Sequence, residues 1–186
     1  MAIVYLGIGS NQQPDLNIAK GLQVLADELD IKQISPWYQS PALGFEGPDF
    51  INLVVKAETD LTLTELVILL KQIEIRFGRA PNAAKYSSRA LDIDVVMYDQ
   101  LVGEFAGQTL PRSDIWRFAF VLKPLLDIDA GILCPKSGHP AADYWPLVSQ
   151  QPVEQVEPAG TLKRAPQAFE NDSARAAPAS QLVAGY

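Results

Sequence analysis

The sequence predicts an α+β fold in which helices cover one face of a mainly antiparallel sheet. Two β-α-β units follow each other along the chain, and the helix of each unit carries an apolar stripe with a 3.6-residue period. A further helical stretch follows the second unit. Two β-α-β halves in succession are the pattern of a ferredoxin-like sandwich.

The first unit begins with a buried strand. Residues 3–8 are a short apolar run that enters a tight turn at residues 9–11, Gly-Ser-Asn. Pro14 opens the helix, whose apolar side chains share one face: Ile18, Leu22, Leu25, Ala26 and Leu29. Residues 31–39 are expected to be extended as far as Ser40-Pro41, where a loop rich in glycine and proline begins.

The second unit begins with a strand at residues 50–57. Thr62 and Glu65 have the spacing of a capping box, in which the hydroxyl and the carboxylate satisfy free amides of the first helical turn. The helix that follows ends at Gly78, ahead of a polar loop over residues 79–89. Residues 91–98 predict a strand, and the last helical stretch follows residues 111–114.

The composition indicates one globular domain with a tail. The chain has 186 residues, of which 48% are apolar and 20% are charged, close to the values of ordinary globular proteins. The pattern of helices and strands fades after residue 151, where Ala, Pro, Gln and Glu are frequent and show no periodicity. We therefore expect a folded domain over residues 1–150 and a low-complexity tail over residues 151–186.

Charge restricts the classes of partner. The 22 acidic and 15 basic residues give a net charge of −7, which disfavours non-specific binding to nucleic acid or to an anionic membrane. Apolar runs stay short of the ~18 residues of a membrane span, and the N-terminal run lacks the basic start of a signal peptide. We expect a cytoplasmic protein without nucleic-acid or membrane partners, and a monomer, because nothing in the sequence suggests an obligate partner.

The sharpest local feature is a pair of aspartates in the predicted strand 91–98. Asp92 and Asp94 are two residues apart, so a strand points both carboxylates to the same face. With one Cys134 and one His139 in the chain, a metal ion would need oxygen ligands, and Mg²⁺ takes one or two carboxylates completed by phosphates. The alternative is two solvent-facing aspartates, although aspartate is unfavourable in strands.

A cationic run precedes this strand. Arg76, Arg79, Lys85 and Arg89 stand close together in an otherwise acidic protein. Such a group beside paired carboxylates suits a nucleoside triphosphate with its metal ion. Tyr86 lies in the same loop, and the sequence leaves open whether its ring is for stacking on a base or for anchoring the loop. The alternative for the whole run is a solvated loop.

Together these segments resemble the 6-hydroxymethyl-7,8-dihydropterin pyrophosphokinase family. The likeness extends over residues 3–136, and its most specific part is the string RALDID at residues 89–94 after a Gly-Arg loop. The other matching segments follow in the same order: Gly9-Ser10-Asn11, SPWYQSPALG at residues 35–44, Asp49-Phe50-Ile51-Asn52, Ile73-Glu74, Gly78-Arg79, Leu110-Pro111, Phe120-Val121-Leu122 and Pro124-Leu125. The family fold is ferredoxin-like, in agreement with the pattern of helices and strands.

The resemblance implies an enzyme that moves the β,γ-diphosphate of ATP to the hydroxymethyl oxygen of the pterin and releases AMP. It implies two Mg²⁺ ions held by Asp92 and Asp94, with ATP as co-substrate, and catalytic-loop arginines at Arg79 and Arg89. The implied pterin-binding positions are Ser40, Pro41, Leu43 through its backbone, Phe50, Asn52 and Phe120, with the two phenylalanines on either side of the ring. The implied nucleotide-binding positions are Lys71, Glu74, Lys85, Tyr86, Val95, Thr109, Arg112 and Arg117.

The chain departs from the family pattern on the ATP side. Tyr86 replaces a usual Trp, and Lys71 replaces a nucleotide-contacting Gln. Arg112 stands where the family typically has His, and Phe118 where Arg is usual. We expect the phosphate charge to be met instead by basic side chains of this chain: Lys85, Arg112 or Arg117.

Two other functions stay open at this point. The chain could be a paralogue that acts on a different pterin-like alcohol, or a non-catalytic pterin-binding protein that has lost nucleotide binding. Retention of Asp92 and Asp94 disfavours the second, because a pterin pocket alone gives no reason to keep two carboxylates that repel each other. In the enzyme, the loop over residues 79–89 is expected to be a lid that is mobile before ATP binds.

Overall fold

The computed structural model describes residues 1–79 and 87–159, and in these ranges no helix is both long and apolar enough to cross a membrane. The first half contains β1 (Ala2–Ser10), α1 (Pro14–Glu28), β2 (Asp30–Ile34), β3 (Trp37–Ser40), β4 (Phe50–Thr59) and α2 (Leu63–Arg76). Then follow β5 (Asp92–Tyr98), β6 (Gly103–Phe105), β7 (Gln108–Leu110), a 3-10 helix (Ser113–Trp116) and α3 (Ala119–Ile128). A second 3-10 helix (Ala141–Tyr144), α4 (Trp145–Val148) and β8 (Glu154–Val156) complete the described part.

The main sheet is antiparallel and has the strand order β5-β1-β4-β3-β8, with β2 paired to β4 next to β3. β6 and β7 form a separate hairpin. α1 and α2 pack on one face of the sheet around a core that includes Leu25, Leu66 and Leu91. The predicted α+β, ferredoxin-like fold class is confirmed.

The helical addition lies on the other face of the sheet, which corrects the expectation that helices cover one face only. α3 contacts β3 and β4 and shares a second core with Tyr5, Val54 and Val96. The reason is visible in β1, where consecutive residues are buried instead of alternate ones. A strand that is covered on both faces has a continuous apolar run.

The segment predicted as one strand at residues 31–39 is divided into β2 and β3. Pro36 has no N–H to donate to a neighbouring strand. Ser35 makes irregular contacts instead: its N–H donates to Val54 O and its Oγ accepts from the Val54 N–H, both at 2.9 Å. The chain therefore leaves the ladder for two residues between β2 and β3.

The predicted capping box at the start of α2 is confirmed. Thr62 Oγ1 accepts from the Glu65 N–H (3.4 Å), and the Glu65 carboxylate accepts from the Thr62 N–H (2.8 Å). The hydrogen bonds from the Thr62 hydroxyl and N–H lower the pKa of Glu65 below its ordinary value. These reciprocal contacts fix where α2 begins.

The sheet includes residues beyond position 151, where the sequence predicts that the tail begins. β8 pairs with β3, with Val156 opposite Trp37. A three-residue edge strand is too short to show a pattern in the sequence. Residues 160–186 lie outside the described residues, so the division of the chain at residue 151 stays a prediction.

Two tyrosine–aspartate hydrogen bonds fasten the C-terminal end of α3 to the sheet. Tyr5 OH donates to Asp129 and Tyr38 OH donates to Asp127, both at 2.5 Å. Lys56 Nζ lies 2.9 Å from Asp129 and neutralises its charge. Because negative charge at a helix C-terminus is unfavourable on its own, these partners are needed to hold the helix in place.

The Tyr5→Phe variant is expected to lose about 1 kcal/mol of unfolding free energy, the usual net value of one hydrogen bond. Burial, assisted by Asp129, raises the pKa of Tyr5 to about 12. The folded protein thus favours the protonated phenol, and this contribution is full below about pH 10 and is lost as the pH rises towards about 12. In urea unfolding across this interval, stability should fall less steeply for the variant. Equal slopes for variant and wild type would contradict the prediction.

Candidate active site

A cleft of about 610 Å³ opens on the face of the sheet that carries α3. It is bounded by the adjoining ends of β1, β4 and β5, the loop between β3 and β4, the hairpin β6–β7 and the first turn of α3. A cavity of this size is typical of a small-molecule site. The predicted site residues that line it are Ser40, Pro41, Leu43, Phe50, Asn52, Arg79, Arg89, Asp92, Asp94, Thr109, Arg112, Arg117 and Phe120.

Two glycines of β1 keep the floor of the cleft open. Gly7 pairs with Asp94 across the sheet, and Gly9 pairs with Asp92 on one side and Asn52 on the other. A Cβ atom at Gly9 would lie 3.2 Å from Asn52 Oδ1, so a side chain there would crowd the space between the carboxylates and the amide. One ligand can therefore extend across β1 from β5 to β4.

The two aspartates lie on the same face of β5, as strand alternation predicts, and both line the cleft. The intervening Ile93 is buried on the opposite face. Arg79 Nη1 lies 2.9 Å from Asp92 Oδ1, and Arg89 Nη1 contacts the same oxygen. The Asp92 side chain is 25% exposed and that of Asp94 is 41% exposed, so both carboxylates remain accessible.

Arg112 lies between the carboxylates of Asp94 and Asp114. Its Nη1 is 3.1 Å from Asp94 Oδ1, while Nε and Nη2 are 3.0 Å and 2.6 Å from Asp114 Oδ2. Although the Asp94 side chain is 41% exposed by surface area, the walls of the cleft desolvate its carboxyl group and raise its pKa to about 6; the charge of Asp92 acts in the same direction, and Arg112 opposes it. The guanidinium group thus offsets repulsion between the two strand aspartates.

Glu74 supports the cleft from beneath. It is 5% exposed, its Oε1 accepts from the Ile93 N–H (2.9 Å), and its Oε2 lies 2.5 Å from Arg79 Nη1. Burial raises the pKa of Glu74 to about 7, and the hydrogen bond from Ile93 opposes this shift. Glu74 does not line the cleft itself but contacts Arg79 and interacts with Asp92, whereas the sequence predicts a nucleotide-binding residue.

A buried polar pair lies at the end of the cleft away from the aspartates. Asn52 Nδ2 donates to Ser40 Oγ (2.9 Å), and the two residues are 9% and 4% exposed. Pairing of β3 with β4 brings them together. Because a buried amide retains further hydrogen-bonding capacity beyond one such contact, this pair can bind the polar edge of a heterocycle.

Aromatic rings from two different elements line the cleft. Phe50 meets Phe45 edge-on, with ring centroids 6.3 Å apart, and Phe120 stacks on Phe118 at 5.1 Å with 14° between the planes. The Arg117 guanidinium lies 5.5 Å from the Phe118 ring centroid. Phe50 is supplied by β4 and Phe120 by α3, so the packing of α3 on the sheet sets the space between them.

The structure does not bring every predicted nucleotide-binding residue to the cleft. Lys71 is exposed on α2, on the opposite face of the sheet. Val95 is 2% exposed, and its side chain packs in the core under α1 and α2. Strand alternation explains this, because Val95 points away from Asp92 and Asp94.

Lys85 and Tyr86 lie outside the described residues, as does most of the loop that the sequence predicts to be a lid. For these residues the sequence-based expectations stay predictions.

Asn11 lies outside the lining of the cleft but supports it; the sequence places it in a turn that matches the family pattern and predicts no role for it in the site. Its Nδ2 donates to Pro48 O and Ser88 Oγ, both at 3.2 Å, and its Oδ1 accepts from the Arg89 N–H at 2.7 Å. Its own N–H donates to Arg89 O (3.1 Å). Asn11 thus ties the loop before β4 to the segment that carries Arg89. A Gly-Ser-Asn turn gives no signal of contacts with such distant parts of the chain.

Phe45 and Asp114 also line the cleft without having been predicted. Asp114 follows Arg112 by two residues, a spacing that was visible in the sequence but carries no structural expectation in a loop. Within residues 1–79 and 87–159, no three His, Cys, Asp or Glu side chains come together as a metal-binding group. The Asp92–Asp94 pair would need ligands from a substrate or from water to complete a metal site.

Comparison with known sequences identifies the family. The sequence model of the family described as 7,8-dihydro-6-hydroxymethylpterin-pyrophosphokinase (HPPK) matches residues 5–130. The chain is 33% identical over 165 residues to a 2-amino-4-hydroxy-6-hydroxymethyldihydropteridine pyrophosphokinase from Aquifex aeolicus, covering 88% of this chain and 95% of the relative. It is 34% identical over 136 residues to the protein of the same name from Synechocystis, covering 72% of this chain and 69% of the relative.

Comparison with solved structures identifies the same fold. The wild-type HPPK-DHPS of Plasmodium falciparum, crystallised with SDX-DHP, superposes with a TM-score of 0.60 at 12% identity, over 79% of this chain and 43% of that chain. A second structure, an HPPK-DHPS in complex with substrates, gives a TM-score of 0.58 at 14% identity, over 78% of this chain and 43% of that chain. The chain therefore spans less than half the length of these solved chains.

Arginines beside paired carboxylates, next to aromatic rings and a buried amide, form the class of site that a phosphoryl-type transferase uses. The family model that matches residues 5–130 identifies which family of such transferases this is. The chain belongs to the 7,8-dihydro-6-hydroxymethylpterin-pyrophosphokinase family.

Replacing Asn11 with alanine is expected to loosen the connection between the loop before β4, at Pro48, and the segment that carries Ser88 and Arg89. The variant removes the oxygen that accepts from the part-buried Arg89 N–H, and the loss of one such hydrogen bond costs about 1 kcal/mol. Unfolding in urea measures this loss, and amide hydrogen exchange should show faster exchange at Ser88 and Arg89. Asn17→Ala removes an exposed amide whose Nδ2 donates to Gln12 O, and it serves as the matched control. Unchanged exchange at Arg89 in Asn11→Ala would contradict the bridging role.

Proposed function

We propose that this protein transfers a diphosphate group from ATP to 6-hydroxymethyl-7,8-dihydropterin, a step of folate biosynthesis. The hydroxymethyl oxygen attacks the β-phosphorus, the bond from that phosphorus to the oxygen it shares with the α-phosphate breaks, and AMP leaves with that oxygen while the hydroxyl proton is released. One observation carries the proposal: a single cleft joins an arginine-flanked carboxylate pair to an aromatic, hydrogen-bonding end across a floor of two glycines.

The aromatic end is the proposed pterin site. Phe50 and Phe120 line the cleft from different elements, and a flat ring bound between them would gain offset stacking on both faces. Ser40 and Asn52 supply buried polar atoms for the ring edge. The loop residues Pro41 and Leu43 close the same end, and Leu43 would contribute through its backbone.

The arginine end is the proposed triphosphate site. Arg79, Arg89 and Arg112 already point into the cleft at the two aspartates, and Arg117 lines its rim. Guanidinium groups bind phosphate oxygens in pairs of parallel hydrogen bonds and stay charged at any physiological pH. Thr109 lines the same end and is proposed to contact the nucleotide.

Glu74 is proposed to act through Arg79. Its buried carboxylate accepts from the Ile93 N–H and contacts the same Nη1 atom of Arg79 that faces Asp92. Glu74 would thereby orient the guanidinium group towards the cleft. Val95 would contact the nucleotide through its main chain only, because its side chain is in the core. Nothing in the position of Lys71 supports a nucleotide contact.

The residues present fit Mg²⁺. Asp92 and Asp94 offer accessible carboxylate oxygens on one face, and Mg²⁺ is ordinarily held by one or two carboxylates with phosphate and water oxygens as its other ligands. We propose that these two residues hold two Mg²⁺ ions with ATP. When bound, the ions supply charge neutralisation along the polyphosphate. The arginines add to that neutralisation and position the β-phosphate, which is what diphosphate transfer requires of the protein.

The protein is also proposed to be a cytoplasmic monomer whose partners are these small molecules and not nucleic acid or membranes. The net charge of −7 supports the second part, because both surfaces carry negative charge.

The direct test is incubation of the protein with ATP, Mg²⁺ and 6-hydroxymethyl-7,8-dihydropterin, followed by measurement of AMP. AMP that forms only when the pterin is present supports the proposal. Pterin binding without AMP would identify a non-catalytic pterin-binding protein. AMP formation with another pterin alcohol, and none with this one, would identify a paralogue with a different substrate.

Asp94→Asn should separate turnover from pterin binding. Neutralising one carboxylate weakens the hold on the cation and on the charge that develops in the transition state, so kcat should fall by about 10²–10³-fold. Pterin affinity, measured by fluorescence titration without ATP, should stay within about twofold, because stacking and the Ser40–Asn52 pair do not depend on the cation. Asp60→Asn, at a side chain that is 83% exposed, is the charge-matched control. Equal losses of turnover and pterin affinity would contradict this division of roles.

A further inference from the structure

Arg112 is held more firmly by Asp114 than by Asp94. Two of its nitrogens, Nε and Nη2, contact Asp114 Oδ2 at 3.0 Å and 2.6 Å, whereas one nitrogen, Nη1, contacts Asp94 at the longer distance of 3.1 Å. The Arg112 side chain is 28% exposed and that of Asp114 is 30% exposed, so both belong to the wall of the cleft.

The backbone on both sides of this contact is fixed. The Arg112 N–H donates to Val96 O on β5 (3.0 Å), and Arg112 O accepts from the Ile115 N–H (3.3 Å). The carbonyl of Asp114 accepts from the N–H groups of Arg117 (3.2 Å) and Phe118 (3.0 Å). The guanidinium group is therefore anchored on Asp114, whose backbone is fixed. Its single, longer contact with Asp94 is the weaker one and can be broken while the contacts with Asp114 remain.

We propose that Arg112 is a resident counter-charge for Asp94. It takes the place that a divalent cation takes when ATP is bound, and it then passes from Asp94 to the polyphosphate while Asp114 retains it. This inference rests on the proposed function, since the cation and the polyphosphate are those of the proposed reaction. It adds a competition between a side chain and a metal ion, and it assigns Asp114 as a positioning residue.

The physical argument is one of like charges. Arg112 Nη1 and a cation on the same Asp94 oxygen would repel each other, so the cation must displace the arginine or bind more weakly beside it. Asp92 has two guanidinium partners at its Oδ1 in the same way. Arg79 is also held by a carboxylate off the strand, Glu74 on α2, but through the same Nη1 atom that contacts Asp92. Arg112 differs because it contacts Asp114 through Nε and Nη2 and Asp94 through Nη1, so the contact with Asp94 can be released without loss of the anchor.

The test measures how tightly the full-length protein binds Mn²⁺ in the absence of nucleotide and pterin. Mn²⁺ is used in place of Mg²⁺ because it also prefers oxygen ligands. Electron paramagnetic resonance of free Mn²⁺ gives the dissociation constant. Arg112→Gln should bind Mn²⁺ at least about fivefold more tightly than wild type, because the competing charge is gone. Arg112→Lys should restore most of the weaker, wild-type binding. Lys20→Gln removes one positive charge at an exposed residue of α1, on the other face of the sheet, and controls for the change in net charge.

Each outcome decides the matter. Tighter binding in Arg112→Gln alone supports the competition. Equal affinity in Arg112→Gln and wild type, no detectable binding in either, or equal tightening in Lys20→Gln overturns it. Because the measurement contains no ATP or pterin, it is independent of the AMP assay. Failure of wild type to form AMP would overturn the proposed function, while the Mn²⁺ result would stand.

A double-mutant cycle tests the role of Asp114. The measured quantity is the affinity for a non-hydrolysable ATP analogue in the presence of Mg²⁺. When Arg112 is present, Asp114→Asn should weaken this affinity by about fivefold, because Arg112 loses its anchor. In the Arg112→Gln background the same change should have little effect. Additive losses would show that Asp114 acts independently of Arg112 and would overturn its positioning role. Circular dichroism of the four proteins checks that the fold is retained.

Discussion

The candidate site depends on one electrostatic constraint. Two carboxylates on alternate residues of β5 lie on the same face of the strand and must both stay ionised despite their mutual repulsion. Strand geometry forces Asp92 and Asp94 together, and their repulsion has to be balanced by positive charge from elsewhere in the chain. The balancing groups come from both sides, Arg79 and Arg89 at Asp92 and Arg112 at Asp94. A cleft organised in this way has the charges that a polyphosphate and its cation need before either arrives.

The sheet supplies the geometry that these charges require. Gly7 and Gly9 carry no side chain between β5 and β4, so the acid pair and the Ser40–Asn52 pair face one continuous space. α3 covers the same face and brings Phe120 to the far wall. The tyrosine–aspartate contacts at the end of α3 therefore bear on the site as well as on stability, since they hold the helix that forms the wall.

Much of this could be predicted from local patterns. The capping box of α2, the common face of Asp92 and Asp94 and the fold class follow from short-range spacing. The face of the sheet on which α3 packs, strand β8 and the bridge made by Asn11 depend on tertiary contacts, which no local spacing encodes. The placement of the Val95 side chain could also be predicted, because the same alternation that puts Asp92 and Asp94 in the cleft puts Val95 in the core.

The substitutions on the ATP side acquire a physical meaning from the position of Arg112. A histidine at this position would lose its charge near neutral pH, whereas a guanidinium group keeps it. A permanent charge next to Asp94 would hold the strand aspartates in a stable arrangement, but it would also oppose the cation unless it could move aside. Asp114 resolves this conflict, because it offers the guanidinium group a second carboxylate two residues away on a fixed turn. In the proposed exchange, an arginine at this position is compatible with cation binding because Asp114 keeps its guanidinium group when Asp94 releases it.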